Sequence, residues 1–267
     1  MTIRANYHTH STLCDGTSTL EEHAREALRL GFTHLGFSGH MDADVHMDFD
    51  RYLAEVRSVQ EKYRDRMEIL CGVELDNLYD PKYAGMADYV IGSTHFLDVE
   101  YERPLSVDDT PEDFLLLLNG FYRGDWRKMC RDYYEIEAGI WRRFDCTFIG
   151  HFDLVAKFND ELHVIDEEDP VYLGYASEAM EALADRGLVF EINTRNVHKG
   201  RLFPGKRLLK RLHEMGGEVI LSSDAHCCTE LNKGFDTALR AARECGFDHV
   251  NILVKGGSGV AFKQIGI

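Results

Sequence analysis

The chain has 267 residues, of which 44% are hydrophobic and 28% charged, a composition typical of a globular protein that buries a large core without disulfides. Its formal net charge of -16 repels phosphate backbones, so a nucleic-acid polymer is not an expected partner. No apolar run reaches the ~20 residues that cross a bilayer. The N-terminus lacks a signal-peptide pattern, and the seven scattered cysteines fit reduced thiols, so we expect a cytoplasmic protein without membrane contact.

Short apolar runs alternate with longer amphipathic stretches, which predicts strand–helix units around a parallel sheet. The predicted strands are 3–8, 34–38, 68–74, 89–94, 146–151, 188–193 and 218–223. The predicted helices are 19–30, 52–63, 125–143, 172–186, 206–215 and 235–245. About seven strands in one chain indicate a single α/β domain over residues 1–267, close to a TIM barrel.

A long irregular stretch, 96–124, follows the fourth predicted strand and contains Pro104 and Pro111. In a barrel, a long excursion after a strand usually covers the end that carries the active site. We therefore expect a lid or specificity insertion around residues 96–145.

Histidines, acids and one asparagine stand at the end of nearly every predicted strand. They are His8, His10, His40, Asp42, Glu74, Asp76, His95, His151, Asp153, Glu191, Asn193, Asp224 and His226. The carboxyl ends of all strands in such a barrel open onto one face, so these side chains are expected to meet in one cavity.

Two of these groups have a spacing that suits metal binding. His8 and His10 are two residues apart on an extended chain, so both imidazoles point to one side, ~6–7 Å apart at the backbone. Asp224 and His226 repeat this spacing with a carboxylate and an imidazole. Such mixtures favour Zn, Mn or Fe, whereas sites made only of oxygen ligands favour Mg or Ca.

The segments YHTHSTLCDG, FSGHMD, ILCGVELD, YVIGSTHF, FIGHFDL, FEINT and SSDAH resemble, in order, the motifs of the PHP (polymerase and histidinol phosphatase) superfamily. The resemblance extends from residue 7 to residue 226. The stretch that ends in ILCGVELD, the GSTHFLD segment before the long insertion and GHFDLVAKFN are similar to the histidinol-phosphate phosphatase branch.

The resemblance implies a distorted (β/α)₇ barrel with up to three divalent metals. One metal would be held by His8, His10, Glu74 and Asp224, a second by Glu74, His95 and His151, and a third by Asp15, His40 and His226. Asp15 enters this set through the resemblance alone, because by itself it would pass for a turn residue.

The residues around the metals depart in part from the family's pattern. Where similar phosphatases carry arginines for phosphate, this chain has Lys157, Arg195 and Lys199. We expect Arg195 to bind the phosphate, with Lys157 as the next candidate. Asp42, Asp76, Asp153 and Glu191 are expected to orient metal ligands, and Glu191 could instead serve acid–base chemistry.

These features and the resemblance together predict a metal-dependent phosphomonoesterase, and the resemblance implies an L-histidinol-phosphate phosphatase of histidine biosynthesis. A hydroxide bridging two metals on Glu74 would attack phosphorus, while the third metal and Arg195 hold the phosphate. Asp98, Asp108 and Asp109 could recognise a substrate amine. A phosphodiesterase or nucleotidase for small nucleotides and a non-catalytic metal-binding regulator remain alternatives. The physiological metal and the oligomeric state stay open.

Overall fold

One ten-stranded sheet forms the centre of the protein in a computed structural model that describes residues 3–257 and 259–267. Its strands are β1 (Ala5–Asn6), β2 (His34–Phe37), β3 (His40–Met41), β4 (Glu68–Asp76), β5 (Tyr89–Ser93), β6 (Phe148–Ile149), β7 (Val189–Asn193), β8 (Glu218–Ser222), β9 (His249–Lys255) and β10 (Val260–Gly266). Their order is β1-β2-β4-β5-β6-β7-β8-β9-β10, with β3 paired to β4. All pairs are parallel except β9–β10.

Helices connect the parallel strands. They are α1 (Leu20–Arg29), α2 (Phe49–Tyr63), α3 (Pro111–Leu116), α4 (Trp126–Gly139), α5 (Asn159–Leu162), α6 (Pro170–Ala184), α7 (Lys206–Glu214) and α8 (Phe235–Cys245). Helix α1 begins with a capping box in which Thr19 and Glu22 satisfy each other's backbone N–H groups. Helix α8 ends at Gly246, whose φ of +110° an L side chain rarely adopts.

The sheet curls so that its first and eighth strands meet at their carboxyl ends. Thr9 forms a parallel bridge with Ala225, whose carbonyl accepts from the His10 N–H at 2.8 Å. Near the other end, β9 pairs with β8 through Asn251 and Ile220, and the Tyr7 hydroxyl donates to the Leu253 carbonyl at 2.7 Å. The strand β9 thus lies between β8 and β1 at this end, which distorts the barrel.

The expected TIM-like α/β fold is confirmed, and all seven predicted strands are present. The sixth structural strand is shorter than the predicted 146–151, because the chain turns after Gly150 into a 3-10 helix at Leu154–Ala156. The seven predicted strands did not include β9, nor β3, which has two residues, nor β10, most of whose side chains are exposed. A strand without a buried face lacks the apolar pattern from which strands are recognised.

The segment after β5 divides into two parts. Its first part runs over the barrel mouth and is held by an antiparallel bridge between Phe96 and Ser106. Helix α4, which follows, packs beside α6, and the Tyr134 hydroxyl donates to the Tyr172 hydroxyl at 2.9 Å. The role of residues 96–145 as a lid or specificity insertion stays a prediction. Within the described residues, we find no helix with the length and apolarity needed to span a membrane.

Candidate metal centre

Glu74 lies at the centre of the histidines that the strand ends bring together. This carboxylate, in β4, is only 1% exposed. Its Oε2 lies 3.0 Å from His8 Nε2, 3.3 Å from His10 Nε2 and 3.2 Å from His40 Nδ1. One oxygen of Glu74 therefore faces three imidazoles from two different strand ends.

The other oxygen of Glu74 faces a second pair of imidazoles. Its Oε1 lies 2.8 Å from His151 Nε2 and 3.3 Å from His95 Nε2. The Ser93 hydroxyl also donates to this oxygen at 2.8 Å. This arrangement gives Glu74 the geometry of a carboxylate that serves two sites.

Asp224 supplies a second carboxylate next to the first group. Its Oδ1 lies 3.3 Å from His10 Nε2, 3.7 Å from His8 Nε2 and 3.4 Å from His226 Nδ1. Asp224 follows β8 with φ +51°, a left-handed conformation that non-glycine residues seldom adopt. A strained backbone conformation of this kind persists where surrounding contacts hold the residue in place, as they often do at functional sites.

Asp15, which only the resemblance indicated, joins the same face of the barrel. Its Oδ2 lies 2.9 Å from His226 Nε2 and 3.7 Å from His40 Nε2, and its Oδ1 lies 3.3 Å from His10 Nδ1. Ligand atoms of these four residues lie within 4.8 Å of one another.

Four overlapping groups of ligand atoms meet this 4.8 Å limit within the described residues. They are His10–Asp15–His40–His226, His8–His151–Asp224, His8–His10–Glu74 and His40–Glu74–His95. All nine residues expected to bind metal are in these groups. The grouping differs from the one that the resemblance implies, because His151 is grouped with His8 and Asp224. The assignment of each residue to a particular metal stays a prediction.

Seven buried polar atoms of this cluster make no hydrogen bond among the described residues. Five of them face one another around the Glu74 and Asp224 carboxylates, namely His8 Nε2, His10 Nε2, His40 Nδ1, Glu74 Oε2 and Asp224 Oδ1, and the other two are His95 Nδ1 and His151 Nδ1. Leaving so many buried polar atoms unpaired costs free energy, and native proteins seldom tolerate it. Bound divalent ions would satisfy all five, and the mixture of imidazole and carboxylate suits Zn, Mn or Fe. The residues present therefore fit a divalent metal centre.

The electrostatics keep the carboxylates of the cluster ionised. Burial would raise the pKa of Glu74, but His8 and His40 beside it lower that pKa well below its ordinary value. The pKa of Asp224 is lowered in the same way, against burial, by His8 and His10. Burial lowers the pKa of His40 to about 3, so this ring is neutral and can offer a lone pair.

Glu191 contacts two of the histidines, one at its ring and one at its backbone N–H. Its Oε1 lies 2.7 Å from His8 Nδ1, and its Oε2 accepts from the His151 N–H at 2.9 Å. Asn193 Nδ2 donates to the same Oε2 at 2.9 Å and reaches Asp224 Oδ2 at 3.3 Å. Carboxylates in this position fix the tautomer and the direction of a metal-binding imidazole.

The other acids expected to orient ligands occupy different positions. Asp42 Oδ2 lies 3.3 Å from His40 Nδ1, and its Oδ1 accepts from the Val45 N–H at 2.6 Å. Asp76 Oδ2 accepts from the His95 N–H at 2.8 Å. Asp153 instead accepts from the Gly205 N–H at 2.9 Å, at the start of α7. Asp153 thus caps a helix, and within the described residues it has no hydrogen bond to a proposed ligand side chain.

An open cavity of roughly 200 Å³ lies over the cluster. Besides seven of the proposed ligands, its lining contains Asp42, Asp44, Val45, Phe96, Ser106, Asp108, Asp109, Leu154, Lys157, Arg195, Asn196 and Phe203. Both candidate phosphate-binding cations, Arg195 and Lys157, therefore face the same space as the metal ligands.

Each of these two cations has a carboxylate partner. Lys157 Nζ donates to Asp108 Oδ2 at 2.9 Å, and Arg195 Nη1 donates to Glu230 Oε2 at 2.9 Å. Burial would raise the pKa of Asp108, but Lys157 and His95 lower it. Asp108 is therefore an ionised partner of Lys157, which leaves it less available to a substrate amine than the sequence suggested.

The acids of the long insertion are divided between the cavity and the outer surface. Asp108 and Asp109 border the cavity, whereas Asp98 borders a separate shallow pocket beside Tyr122. Asp113 is paired with Arg103. Asp98 was thus a poorer candidate for substrate recognition than Asp109.

Some polar residues of the cavity and of its support were not singled out by sequence reasoning. Among them, Asp44 and Asn196 line the cavity, and Glu230 binds Arg195. Asp44 stands in the MDAD segment after the second strand, so its position was a usable signal. Glu230 lies in a short 3-10 helix, and nothing in its local sequence indicates the contact.

A protein-family model described as the PHP domain matches residues 6–195 of this chain. A Deinococcus radiodurans protein named probable histidinol-phosphatase is 32% identical over 266 residues, covering 92% of this chain and 95% of that protein. A protein of the same name from Schizosaccharomyces pombe is 26% identical, and the alignment covers 99% of this chain and 94% of that protein.

The fold is also similar to that of a solved histidinol phosphate phosphatase from Lactococcus lactis, in a complex with zinc, L-histidinol and phosphate. The TM-score is 0.73 at 23% identity, and the alignment covers 92% of this chain and 95% of that one. At this level of identity the likeness bears on the fold.

Proposed function

The chain belongs to the PHP domain family, and on that basis we propose that it is a metal-dependent phosphatase that hydrolyses L-histidinol phosphate. The name of the Deinococcus radiodurans relative, which is similar over almost the whole chain, supports both the reaction and the substrate. The reaction class is hydrolysis of a phosphoric monoester. Residues 1–267 would form one catalytic domain, with the start of the insertion at the mouth of its cavity.

The observation that carries this proposal is the set of five unpaired buried atoms around Glu74 Oε2 and Asp224 Oδ1. Imidazoles and carboxylates that merely packed in a core would be paired with one another or with the backbone. The nine side chains named above would hold the metals, and Glu74 would contribute to two sites. Bound divalent ions would lower the pKa of water and offset the repulsion between a nucleophile and a phosphate dianion.

The remaining side chains of the cavity would bind the substrate. Arg195 offers a cationic guanidinium to the phosphate, and Lys157 adds a second cation. Asp44 and Asp109 contribute negative charge to the same cavity, and both are exposed to solvent in its wall. A substrate with a phosphate at one end and an ammonium group at the other would match this distribution, as L-histidinol phosphate does.

The test is a comparison of turnover by metal-loaded and metal-stripped protein on L-histidinol phosphate, adenosine monophosphate and a phosphodiester. We expect the highest kcat/KM for L-histidinol phosphate and loss of activity on metal removal. Full activity of metal-free protein would refute the metal-dependent mechanism. Preference for the nucleotide or the diester would replace the proposed substrate, and an absence of turnover on all three would favour a non-catalytic metal-binding protein.

Glu74→Gln should be among the most damaging single changes, because one carboxylate serves both sets of imidazoles. We expect loss of bound metal, measured by elemental analysis, together with loss of turnover. Glu21→Gln, in the first turn of α1 and outside the cavity lining, is a suitable control. Near-normal turnover of Glu74→Gln would rule out a role for this residue at two sites.

A further inference from the structure

The guanidinium of Arg195 contacts two hydrogen-bond acceptors of the protein. Its Nη1 donates to Glu230 Oε2 at 2.9 Å and reaches the Asp224 carbonyl at 3.4 Å. The side chain is 34% exposed and lines the cavity. Arginine has five N–H donors, so this anchoring through one nitrogen leaves others free for an anion.

Two physical effects would otherwise move the Arg195 guanidinium out of this position. A partly exposed guanidinium on a flexible stem has many rotamers, and ordering it costs conformational entropy. Divalent ions in the neighbouring cluster would also repel it, since both are cationic. The carboxylate of Glu230 counteracts both effects, because it attracts the guanidinium and fixes one of its nitrogens.

The other carboxylate oxygen of Glu230 is bound by a second cation. Lys233 Nζ donates to Glu230 Oε1 at 2.9 Å, so the two carboxylate oxygens have different cationic partners. Burial would raise the pKa of Glu230, but the hydrogen bond from Lys233 and the charge of Arg195 lower it, so the group is ionised. The Thr194 hydroxyl donates to the Lys233 carbonyl at 2.5 Å, which ties this segment to the residue before Arg195.

The same contacts connect Arg195 to a proposed metal ligand. The Asp224 carbonyl, which Arg195 Nη1 approaches, also lies 3.1 Å from His226 Nδ1. Asp224 has the left-handed backbone conformation described above. The position of Arg195 is therefore set relative to the metal cluster and not only relative to the outer surface.

We propose that Glu230, braced by Lys233, is a positioning residue that holds Arg195 in the orientation in which it binds the substrate's phosphate. This inference rests on the phosphate-binding role given to Arg195 in the proposed function. Glu230 would touch neither the substrate nor a metal.

The substitution Glu230→Gln distinguishes a positioning role of Glu230 from a purely electrostatic effect of its charge on phosphate binding. A carboxylate near an anion site repels the anion, so electrostatics alone predicts that Glu230→Gln binds phosphate more tightly. Positioning predicts the opposite, because a released guanidinium must be ordered again on binding. We expect the dissociation constant for inorganic phosphate and the KM for the phosphate ester to rise about three- to tenfold, the range of a weakened charge-assisted contact.

The experiment is a double-mutant cycle on the metal-loaded protein, with Glu230→Gln, Arg195→Ala and the double variant. Calorimetric titration with inorganic phosphate gives affinities, and steady-state kinetics separates KM from kcat. Metal content and Tm are measured for each variant. Glu21→Gln is the matched control, because Glu21 is as exposed as Glu230 (26% against 25%) and also pairs with a lysine, Lys62.

We expect Glu230→Gln to bind phosphate more weakly while its kcat and metal content stay unchanged, and we expect the control Glu21→Gln to behave like the wild type. When Glu230→Gln is added to Arg195→Ala, the affinity for phosphate should fall no further. Unchanged or tighter binding in Glu230→Gln, or an equal loss in both backgrounds, would overturn the positioning role. If Arg195→Ala itself leaves phosphate affinity unaltered, the phosphate-binding role of Arg195 in the proposed function fails. Retained sensitivity to Arg195→Ala with no effect of Glu230→Gln refutes the positioning role alone.

Discussion

Glu191 Oε1 lies 2.7 Å from His8 Nδ1, and both side chains are fully buried. Because Glu191 occupies Nδ1, the lone pair of a neutral His8 ring is on Nε2, which faces Glu74 and Asp224. Burial would lower the pKa of His8, but Glu191 and Glu74 raise it well above its ordinary value. A metal bound by His8 would therefore compete with a proton.

Weakening this contact should reduce metal affinity. We expect Glu191→Gln to bind the metal about 10–100-fold more weakly, the usual cost of losing a carboxylate behind a metal-binding histidine. Competition with a chelator, followed by elemental analysis, measures this affinity. Full metal retention in Glu191→Gln and also in Glu191→Ala would show that Glu191 does not orient a ligand.

Removal of the Arg195 guanidinium should affect phosphate binding and not metal binding. We expect Arg195→Ala to weaken binding of inorganic phosphate and of phosphate esters by roughly 1.5–3 kcal/mol, the range for a lost charge-assisted contact. Metal content should stay at the wild-type level. If the metal is lost instead, or the affinity for phosphate is unchanged, Lys157 becomes the main candidate and Lys157→Ala should show the effect.

The exposed acids of the cavity wall should select for a substrate that carries an ammonium group. We expect Asp44→Asn combined with Asp109→Asn to reduce kcat/KM for L-histidinol phosphate about tenfold relative to adenosine monophosphate, through the loss of charged contacts. Neutralising Glu100, Glu102 and Glu112, which are exposed outside the cavity, is the control. An equal ratio of kcat/KM values in both sets of variants would mean that these acids do not recognise the amine.

Glu137 should make the free energy of unfolding depend on pH. Burial raises its pKa from the ordinary 4.5 to about 8, and its Oε2 accepts from the Thr94 hydroxyl. Between these two values the folded protein holds a proton that the unfolded chain has lost. The free energy of unfolding should therefore fall as pH rises from 5 to 8, by up to about 1.4 kcal/mol per pH unit.

The substitution Glu137→Gln removes the titrating group while nearly preserving its shape. Denaturant unfolding at pH 5.5 and pH 8 should show the variant gaining free energy of unfolding relative to wild type at the higher pH. A constant difference between the two proteins at both pH values would mean that Glu137 is ionised in the folded protein.

Much of the fold and of the candidate site follows from the linear order of residues. Parallel strands joined by helices all point their carboxyl ends to one face, so histidines and acids at strand ends must gather there whatever the details of packing. The pairs His8–His10 and Asp224–His226 are further constrained by their spacing along one extended chain. For this reason the residues gathered at that face could be named before the structure was known, although their roles as ligands remain to be measured.

The partners of these side chains were decided only by the tertiary structure. Arg195 meets Glu230, Lys157 meets Asp108, and Glu191 meets His8 across separations of 35, 49 and 183 residues. Which atoms meet depends on how loops from different strands are placed over the barrel mouth, and a shift of an ångström or two would exchange hydrogen-bond partners. Local pattern and spacing contain no information at that scale, so Glu230 could not be recognised from the sequence, and Asp108 and Asp153 occupy positions that their motifs did not reveal.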